Sequence, residues 1–274
     1  MLVWCLQYSI MIEQIKYIFL GLIQGLTEFF PISSSGHLEL FSYISNIAQE
    51  EPLLLFIIVH LATALSTIIV YRNRIKKMLI GVITDNNKNE FSFLIKLAIS
   101  SIPTLLIYLV FSKNIDLIFK NATHLVCIML VLTGSVLFIT QFFIKSDKKI
   151  GYLDALLIGL AQALAIIPGV SRSGATISTA LFLKINRDDA AEFSFLMGLA
   201  PILGGSFLKI FEFLSSPSTL EQVEIKGLLL SFFAAFFSGL FACKYMIVLV
   251  QKNNLKFFGY YCVLLGISFW IFIL

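Results

Sequence analysis

The sequence predicts an all-α, polytopic membrane protein with six transmembrane helices and two re-entrant helix–loop–helix pairs, arranged as an inverted repeat. The first observation is composition: 58% of the 274 residues are hydrophobic and 13% are charged, against about 45–50% and about 25% in soluble chains. The second is a set of long apolar runs, two of them interrupted by Pro, Ser and Gly. The third is the similarity of the two interrupted runs. A soluble domain of this length has no core large enough to hide so much apolar surface.

The six predicted transmembrane helices each hold roughly 20 mostly apolar residues, the length that crosses the hydrocarbon core. Their ranges are 53–71, 92–111, 124–144, 191–213, 227–250 and 257–274. Pro103 and Pro201 lie inside two of them and are expected to kink the helix. The first ten residues lack the features of a secretory signal and are predicted to form a short interfacial lead-in. The sequence leaves open whether Met1 or Met11 is the start.

Two further apolar regions, 15–46 and 153–185, are predicted to be re-entrant. Each has an apolar run of about 15 residues, a Pro/Ser/Gly break and a second short apolar run, so each piece is too short to cross. Unwound backbone at membrane depth is tolerated only where protein or a watery cavity satisfies its polar groups. Both breaks are therefore candidate walls of a functional site.

The distribution of basic residues predicts the orientation in the membrane. Alternation of the six spans puts four loops on one side, and these loops hold twelve Lys and Arg residues against three on the other side. The loops are 72–90, 145–151, 184–189 and 251–256. Because cytoplasmic loops are enriched in Lys and Arg, this side is predicted to be cytoplasmic and both termini to lie outside.

An internal repeat supports this topology. A shift of 138 residues, without gaps, places LGLIQGLTEFFPISSSG (20–36) on IGLAQALAIIPGVSRSG (158–174), and the Ser-x-Ser-Gly sequences coincide. Within one membrane domain, 1–274, repeat one covers about 15–144 and repeat two about 153–274. Each repeat holds one interrupted pair and three spans, so the odd number of spans inverts the second half. Many transporters share this plan, with the site at the repeat interface.

The first break places polar side chains in an otherwise apolar segment: Gln24, Glu28, Ser33, Ser34, Ser35, Gly36 and His37. A charge at mid-bilayer costs about 2.5–3.5 kcal/mol on insertion scales, so Glu28 is a candidate functional residue. Gln24 and Glu28 are four residues apart and share one helix face. Their polar ends can therefore meet one ligand.

The second break holds Gly169, Ser171, Arg172, Ser173, Gly174 and Thr176. Gly and Ser before a new helix leave backbone N–H groups free at the positive end of the helix dipole, which suits phosphate. Arg172 adds a planar, permanently charged fork for phosphate oxygens. Two such breaks facing each other predict a phosphate site. Two alternatives stay open: Glu28 and Arg172 as a structural clamp, and Ser33, Ser171 and Ser173 as helix caps.

At this point the motifs resemble those of a known family. GLTEFFPISSSGH (25–37), preceded by Gln24, and PGVSRSGAT (168–176) resemble the two signature motifs of the undecaprenyl-diphosphate phosphatases, bacterial proteins also known for bacitracin resistance. DDAAEFSFLMGLAP (188–201) is similar to the segment that follows the second motif. The resemblance implies a hydrolase of the inner membrane that converts undecaprenyl diphosphate to undecaprenyl phosphate and inorganic phosphate, recycling the lipid carrier for peptidoglycan synthesis. The residues that match catalytic positions are Glu28, Ser34, His37 and Arg172.

The resemblance also implies a divalent cation, Mg²⁺ or Ca²⁺. Gln24 stands where many members have Glu, so Glu28 is the one carboxylate ligand that the motif provides. Ser34 is the predicted nucleophile, with His37 or Glu28 taking its proton. The alternative is a water activated by His37 or by a metal on Glu28. His60, in the middle of a span, is expected to make a helix–helix hydrogen bond.

Other function classes fit the sequence less well. The net charge of +4 is too small to predict nucleic-acid binding, and four scattered cysteines form no zinc or redox motif. The expected partners are a polyprenyl diphosphate and membrane lipid, and the sequence leaves a homodimer open. The main alternative is an inverted-repeat transporter or flippase of an anionic lipid or phosphate. A carrier has less use for a nucleophile and a base beside its phosphate donors.

Overall fold

The computed structural model describes residues 2–45, 52–84, 88–119, 122–143, 146–214, 225–252 and 254–274. These residues form eleven α-helices, and a 3₁₀ turn over Thr140–Phe142 follows the sixth. The helices are α1 Leu2–Phe29, α2 Ser34–Ser45, α3 Pro52–Val70, α4 Arg72–Ile83, α5 Lys88–Phe119, α6 Thr123–Ile139, α7 Tyr152–Leu164, α8 Arg172–Phe182, α9 Arg187–Leu214, α10 Ile225–Gln251 and α11 Lys256–Ile273. Within the described ranges there is no strand, so the all-α prediction is confirmed.

Five helical segments among the described residues are long and apolar enough to cross a membrane: Lys88–Phe111, Thr123–Phe142, Arg187–Leu208, Ile225–Gln251 and Lys256–Ile273. A sixth span is present if Leu54–Val70 and Arg72–Ile83, which meet at an angle of 73°, count as one bent span. Helices α5 and α9 contain Pro103 and Pro201 and continue through them. The chain is therefore a polytopic helical protein with five or six candidate spans.

The prediction of a loop over 72–90 is wrong for its first part, which is helix α4. Ile75, Met78 and Val82 recur at helical spacing, and Met78 is buried with 5% exposure. The guanidinium of Arg74 binds the carboxylates of Glu90 on α5 and Glu192 on α9. The charged residues that suggested a loop thus form one face of an amphipathic helix.

In the first interrupted region the first helix is longer than predicted, whereas both helices of the second region have the predicted short lengths. Helix α1 begins at Leu2 and has 28 residues, about 42 Å at 1.5 Å per residue, so it is nearly twice as long as predicted, but it is not among the described segments that are apolar enough to be candidate spans. Residues 2–10 continue this helix and do not form a separate lead-in. Helices α7 and α8, with 13 and 11 residues, are each too short to cross, as predicted.

Each long arm of the two interrupted regions packs against one transmembrane helix through a glycine. A Cβ atom on Gly21 of α1 would lie 2.3 Å from the carbonyl oxygen of Ser231 on α10. A Cβ atom on Gly159 of α7 would lie 2.4 Å from the carbonyl oxygen of Ser100 on α5. Only glycine allows backbones to approach this closely. These contacts hold both breaks at fixed positions inside the bundle.

Candidate active site

The structure brings the two breaks together. Helix α2 starts at Ser34 and helix α8 at Arg172, each directly after its break. The Ser173 hydroxyl donates to the Phe30 carbonyl oxygen over 3.3 Å. A Cβ atom on Gly36 would lie 3.3 Å from the Cα of Gly169. The N-termini of two short helices therefore meet at one place.

Both short helices are capped by the serine that precedes them. The Gly36 N–H donates to the Ser33 hydroxyl over 3.2 Å, and the Gly174 N–H donates to the Ser171 hydroxyl over 3.0 Å. These are N-cap hydrogen bonds, so the cap alternative holds for both serines. The first-turn amides of each helix have no intrahelical acceptor. Apart from the capped amides of Gly36 and Gly174, these N–H groups are donors at the positive ends of two helix dipoles.

Neighbouring residues of the breaks complete this packing. A Cβ atom on Gly174 would lie 3.3 Å from the Pro31 carbonyl oxygen, which explains why a small residue stands there. The Ser35 hydroxyl lies 3.4 Å from the hydroxyl of Ser33, the N-cap residue of the same helix. The Thr176 hydroxyl lies 2.9 Å from the Arg172 carbonyl oxygen and 2.6 Å from the Ser194 hydroxyl on α9. Thr176 thus holds α8 against α9 and is not among the residues that hydrogen-bond the Glu28 carboxylate.

Two residues of the breaks have left-handed backbone: Ser33, with φ of 72°, and Gly169, with φ of 91°. Thr133 on α6 holds the second break in place, since its hydroxyl donates to the Gly169 carbonyl and accepts from the Ser171 N–H, both over 3.2 Å. A Cβ atom on Gly169 would lie 2.8 Å from the Val126 carbonyl oxygen. Both its φ and this close approach require glycine at this position.

Glu28, at the end of α1, is the centre of the site. Its Oε1 accepts from Arg172 Nη2 over 2.8 Å. Its Oε2 accepts from the Ser34 hydroxyl over 2.7 Å and from Gln24 Nε2 over 3.0 Å. The carboxylate is buried, and a buried charge is stable only when it is paired and hydrogen-bonded. Four of the predicted site residues thus form one connected cluster.

Arg172 keeps an unused donor in this cluster. Its Nη1 is buried and has no hydrogen-bond partner among the described residues. The space for this nitrogen exists because Gly198 on α9 has no side chain: a Cβ atom there would lie 1.2 Å from Nη1. A buried donor without a partner is costly. An anionic ligand that enters the cluster would satisfy it.

His60 belongs to the site, which the sequence reasoning missed. The prediction of a hydrogen bond to another helix is wrong: Nδ1 bonds the Phe56 carbonyl oxygen of the same helix over 2.7 Å. Nε2 lies 3.9 Å from Glu28 Oε2. The available signal was a titratable residue in the middle of an apolar run, a position that by itself suggests function.

His37 bonds elsewhere, although it lies on the same short helix as Ser34. Nδ1 lies 2.8 Å from the Ser33 carbonyl oxygen, and Nε2 lies 2.8 Å from the Tyr261 hydroxyl. The hydroxyl of Ser34 bonds Glu28 instead. Tyr261 is 224 residues from His37, and no sequence pattern connects the two.

The cluster fits a divalent cation only when substrate completes the site. In the described ranges no three His, Cys, Asp or Glu residues form a metal-binding group. Gln24 Oε1, however, is buried without a hydrogen-bond partner, beside the Glu28 carboxylate. Mg²⁺ is commonly held by one or two carboxylates together with substrate phosphates. Gln24 and Glu28 therefore fit a cation bound jointly with phosphate, and not an all-protein cage.

Known proteins match this chain over nearly its whole length. The profile of the family described as "Bacitracin resistance protein BacA" matches residues 17–268. The undecaprenyl-diphosphatase of Christiangramia forsetii is 39% identical over 257 residues, which cover 93% of this chain and 96% of the relative. The undecaprenyl-diphosphatase of Bacteroides thetaiotaomicron is 39% identical over 250 residues, covering 91% and 95%. That of Methanococcus maripaludis is 37% identical over 248 residues, covering 89% and 94%. Because the match includes both breaks, the chain belongs to the BacA family of bacitracin resistance proteins.

Proposed function

We propose that this chain is an integral membrane phosphatase that hydrolyses undecaprenyl diphosphate to undecaprenyl phosphate and inorganic phosphate. The observation that carries the proposal is the Glu28 carboxylate, which binds the Arg172 guanidinium through one oxygen and the Ser34 hydroxyl through the other. A nucleophile, a base and a cation are thus connected where two helix N-termini meet. The relatives named above act on undecaprenyl diphosphate by their names, and this supports the substrate.

The diphosphate group binds where the free donors are. Arg172 Nη1 is the unused donor of the cluster, and the first-turn amides of α2 and α8 that the caps do not use add donors at positive dipole ends. Phosphoryl transfer is catalysed mainly by positioning and by neutralising charge on the phosphate oxygens. We assign that role to Arg172 and to these amides.

Ser34 then acts as the nucleophile and Glu28 as its base. The Ser34 oxygen forms a bond to the terminal phosphorus while its proton moves to Glu28, 2.7 Å away. The bond from this phosphorus to the bridging oxygen breaks, and its electron pair leaves with undecaprenyl phosphate. Water next attacks the phosphoserine, Glu28 returns its proton to the serine oxygen, and the water hydrogens leave on inorganic phosphate. Glu28 is preferred over His37 as the base because Ser34 bonds Glu28.

A divalent cation, Mg²⁺ or Ca²⁺, belongs to this proposal as a second source of positive charge. Glu28 and the unpaired Gln24 Oε1 would hold it together with a substrate phosphate. When bound, it neutralises phosphate charge as a Lewis acid.

We also propose the inverted-repeat arrangement, and two contacts between α6 and α11 support it. A Cβ atom on Gly134 would lie 2.6 Å from the Gly259 carbonyl oxygen, and one on Gly266 would lie 2.7 Å from the Cys127 carbonyl oxygen. Gly134 and Gly266, like Cys127 and Gly259, are 132 positions apart. This is six fewer than the 138 that separate the two breaks, so the second half is six residues shorter between its break and its last helix. A two-fold axis that exchanges the two halves therefore exchanges these two contacts, as expected for an inverted repeat.

The proposed setting is the bacterial inner membrane, with both termini outside. The excess of Lys and Arg on one side of the spans supports the orientation. Helices α2, α7 and α8, with 12, 13 and 11 residues, are too short to cross, which supports re-entrant segments that end at the site. The lipid substrate reaches such a site from within the bilayer.

The test is phosphate release by the purified, detergent-solubilised protein from undecaprenyl diphosphate and farnesyl diphosphate, with EDTA varied. Wild type should release phosphate, and Glu28→Gln and Arg172→Ala should lose the activity. Glu39→Gln is the matched control, since Glu39 lies on α2 and is bonded by Thr123, outside the cluster. Loss of release with EDTA would support the cation. Absence of release by folded wild type from both substrates would contradict the proposal and favour a carrier of anionic lipid.

A further inference from the structure

The hydrogen bonds of His37 determine which of its ring nitrogens carries the hydrogen. Nδ1 lies 2.8 Å from the Ser33 carbonyl oxygen. A carbonyl oxygen only accepts, so Nδ1 is the donor. In the neutral ring Nε2 is then the acceptor, and the Tyr261 hydroxyl, 2.8 Å away, donates to it. The contacts therefore select the Nδ1–H tautomer.

The imidazole is held from two sides. On one side, the left-handed backbone of Ser33, with φ of 72°, directs its carbonyl at His37, where it also accepts the His37 N–H over 3.1 Å. On the other side, the rings of His37 and Tyr261 stack with their centroids 5.6 Å apart and their planes within 9°. The break thus fixes the hydrogen bond of Nδ1, and Tyr261 fixes the hydrogen bond of Nε2.

Tyr261 is itself fixed by its neighbours on α11. The next residue, Cys262, is buried, and its sulfur lies 3.9 Å from the carbonyl oxygen of Pro31 in the first break. Gly259 and Gly266, on either side of Tyr261, approach the backbone of α6 so closely that larger residues would clash. These contacts hold the Tyr261 phenol at a fixed position relative to the first break.

We propose that Tyr261 is a positioning residue for His37. Its hydroxyl holds the ring in the Nδ1–H tautomer and occupies Nε2, the one ring nitrogen that can take up a proton. When Nε2 is protonated it donates to the phenol oxygen, which can accept as well as donate, so both charge states keep the same geometry. The kinetic consequence rests on the proposed hydrolysis and on a part in it for His37, which matches a catalytic position of the first motif; the tautomer rests on neither.

The first measurement is ¹⁵N NMR of histidine-labelled protein in detergent, since the chain has only three histidines. His37→Gln assigns the His37 resonances. Wild type should show a protonated Nδ1 and an acceptor Nε2 for His37. Tyr261→Phe should shift the Nε2 resonance and leave Nδ1 in place. Tyr260→Phe, the adjacent phenol, whose ring packs on Phe138, should change neither. An Nε2–H tautomer in wild type, or an unmoved Nε2 resonance in Tyr261→Phe, overturns the inference.

The second measurement separates positioning from substrate binding. Loss of one hydrogen bond predicts that Tyr261→Phe lowers kcat about 3- to 10-fold with KM changed by less than about twofold. Tyr260→Phe should stay within about twofold of wild type in both. Equal kcat values for the two variants overturn the positioning role while the proposed hydrolysis stands. If wild type releases no phosphate, the hydrolysis fails, and the NMR measurement alone decides whether Tyr261 holds His37.

Discussion

The two breaks can be compared position by position, because Ser34 and Arg172 lie 138 residues apart and begin equivalent helices. The residue before each of them caps the helix through its side chain, over 3.2 and 3.0 Å. Ser34 then presents a hydroxyl to Oε2 of Glu28, and Arg172 presents a guanidinium to Oε1. The first residue of the helix is thus the proposed nucleophile in the first half and a guanidinium in the second half.

The arms that precede the breaks differ in the same way. Gln24 and Gln162 are equivalent and both buried, but the first donates to Glu28 and the second to Thr104. The position that matches Glu28 in the second half is Ile166. The backbone is therefore repeated, while the acid is present in one half only. The cluster is complete only when both halves contribute.

The largest effect is expected from removing the residue that the second half contributes. Arg172→Ala should lower kcat/KM by at least about 10³-fold, because an arginine that neutralises phosphoryl charge contributes 10³–10⁵. It should also destabilise the protein by about 3–5 kcal/mol, since Glu28 loses its cation in a buried site. Activity assays and apparent Tm measure the two effects.

The double variant Glu28→Gln/Arg172→Ala separates these two effects. Without either charge, most of the lost stability should return, and activity should stay absent. A double variant with wild-type activity would show that the pair is only a clamp. An unchanged kcat/KM in Arg172→Ala would exclude the Arg172 guanidinium from the mechanism.

The next effect concerns the first half. Ser34→Ala should lower kcat at least about 10²-fold through loss of the nucleophile. Ser42→Ala is the matched control, because Ser42 is a buried serine on the same helix α2. Acid-quenched turnover should leave a phosphoserine on the peptide that contains Ser34, detected by mass spectrometry. Full activity in Ser34→Ala would contradict Ser34 as the nucleophile. If Ser34→Ala is inactive but wild type yields no phosphoserine, water is favoured as the nucleophile.

Much of this site could be predicted from sequence, because its residues are polar in apolar surroundings. Glu28 and Arg172 are charges at membrane depth, and the Ser-x-Ser-Gly repeats mark where the helices restart. Composition together with the long apolar runs predicts the all-helical membrane fold. These inferences depend on local patterns and on the cost of burying polar groups.

The features that sequence reasoning missed depend on contacts between distant segments. Whether His60 faces Glu28 depends on the rotation of α3 about its axis, which a largely apolar run does not determine. The partner of His37 lies 224 residues away. The length of α1 was underestimated because Glu13 and Lys16, which pair over 2.9 Å, interrupt its apolar pattern without ending the helix.

A moderate effect is expected when the first arm receives a second carboxylate. Gln24→Glu gives the cation another charged ligand beside Glu28, so half-maximal activation by Mg²⁺ should occur at about tenfold lower concentration. Gln162→Glu makes the same change in the second half, where the Gln162 amide bonds the Thr104 hydroxyl. It should leave Mg²⁺ activation unchanged and lower the apparent Tm. Equal activation constants for Gln24→Glu and wild type would exclude Gln24 as a ligand.

The smallest effect tests the one backbone difference between the two caps. Ser33 has φ of 72°, whereas Ser171 has φ of −73°, so only Ser33 bears the cost of left-handed backbone, about 1–2 kcal/mol. Glycine is a nearly equivalent N-cap and has no such cost. Ser171→Gly should therefore destabilise slightly, and Ser33→Gly should be neutral or stabilising. The two variants should differ by about 2–4 °C in apparent Tm. Equal Tm values would mean that the rest of the break, and not the conformation of Ser33, accounts for the difference between the two halves.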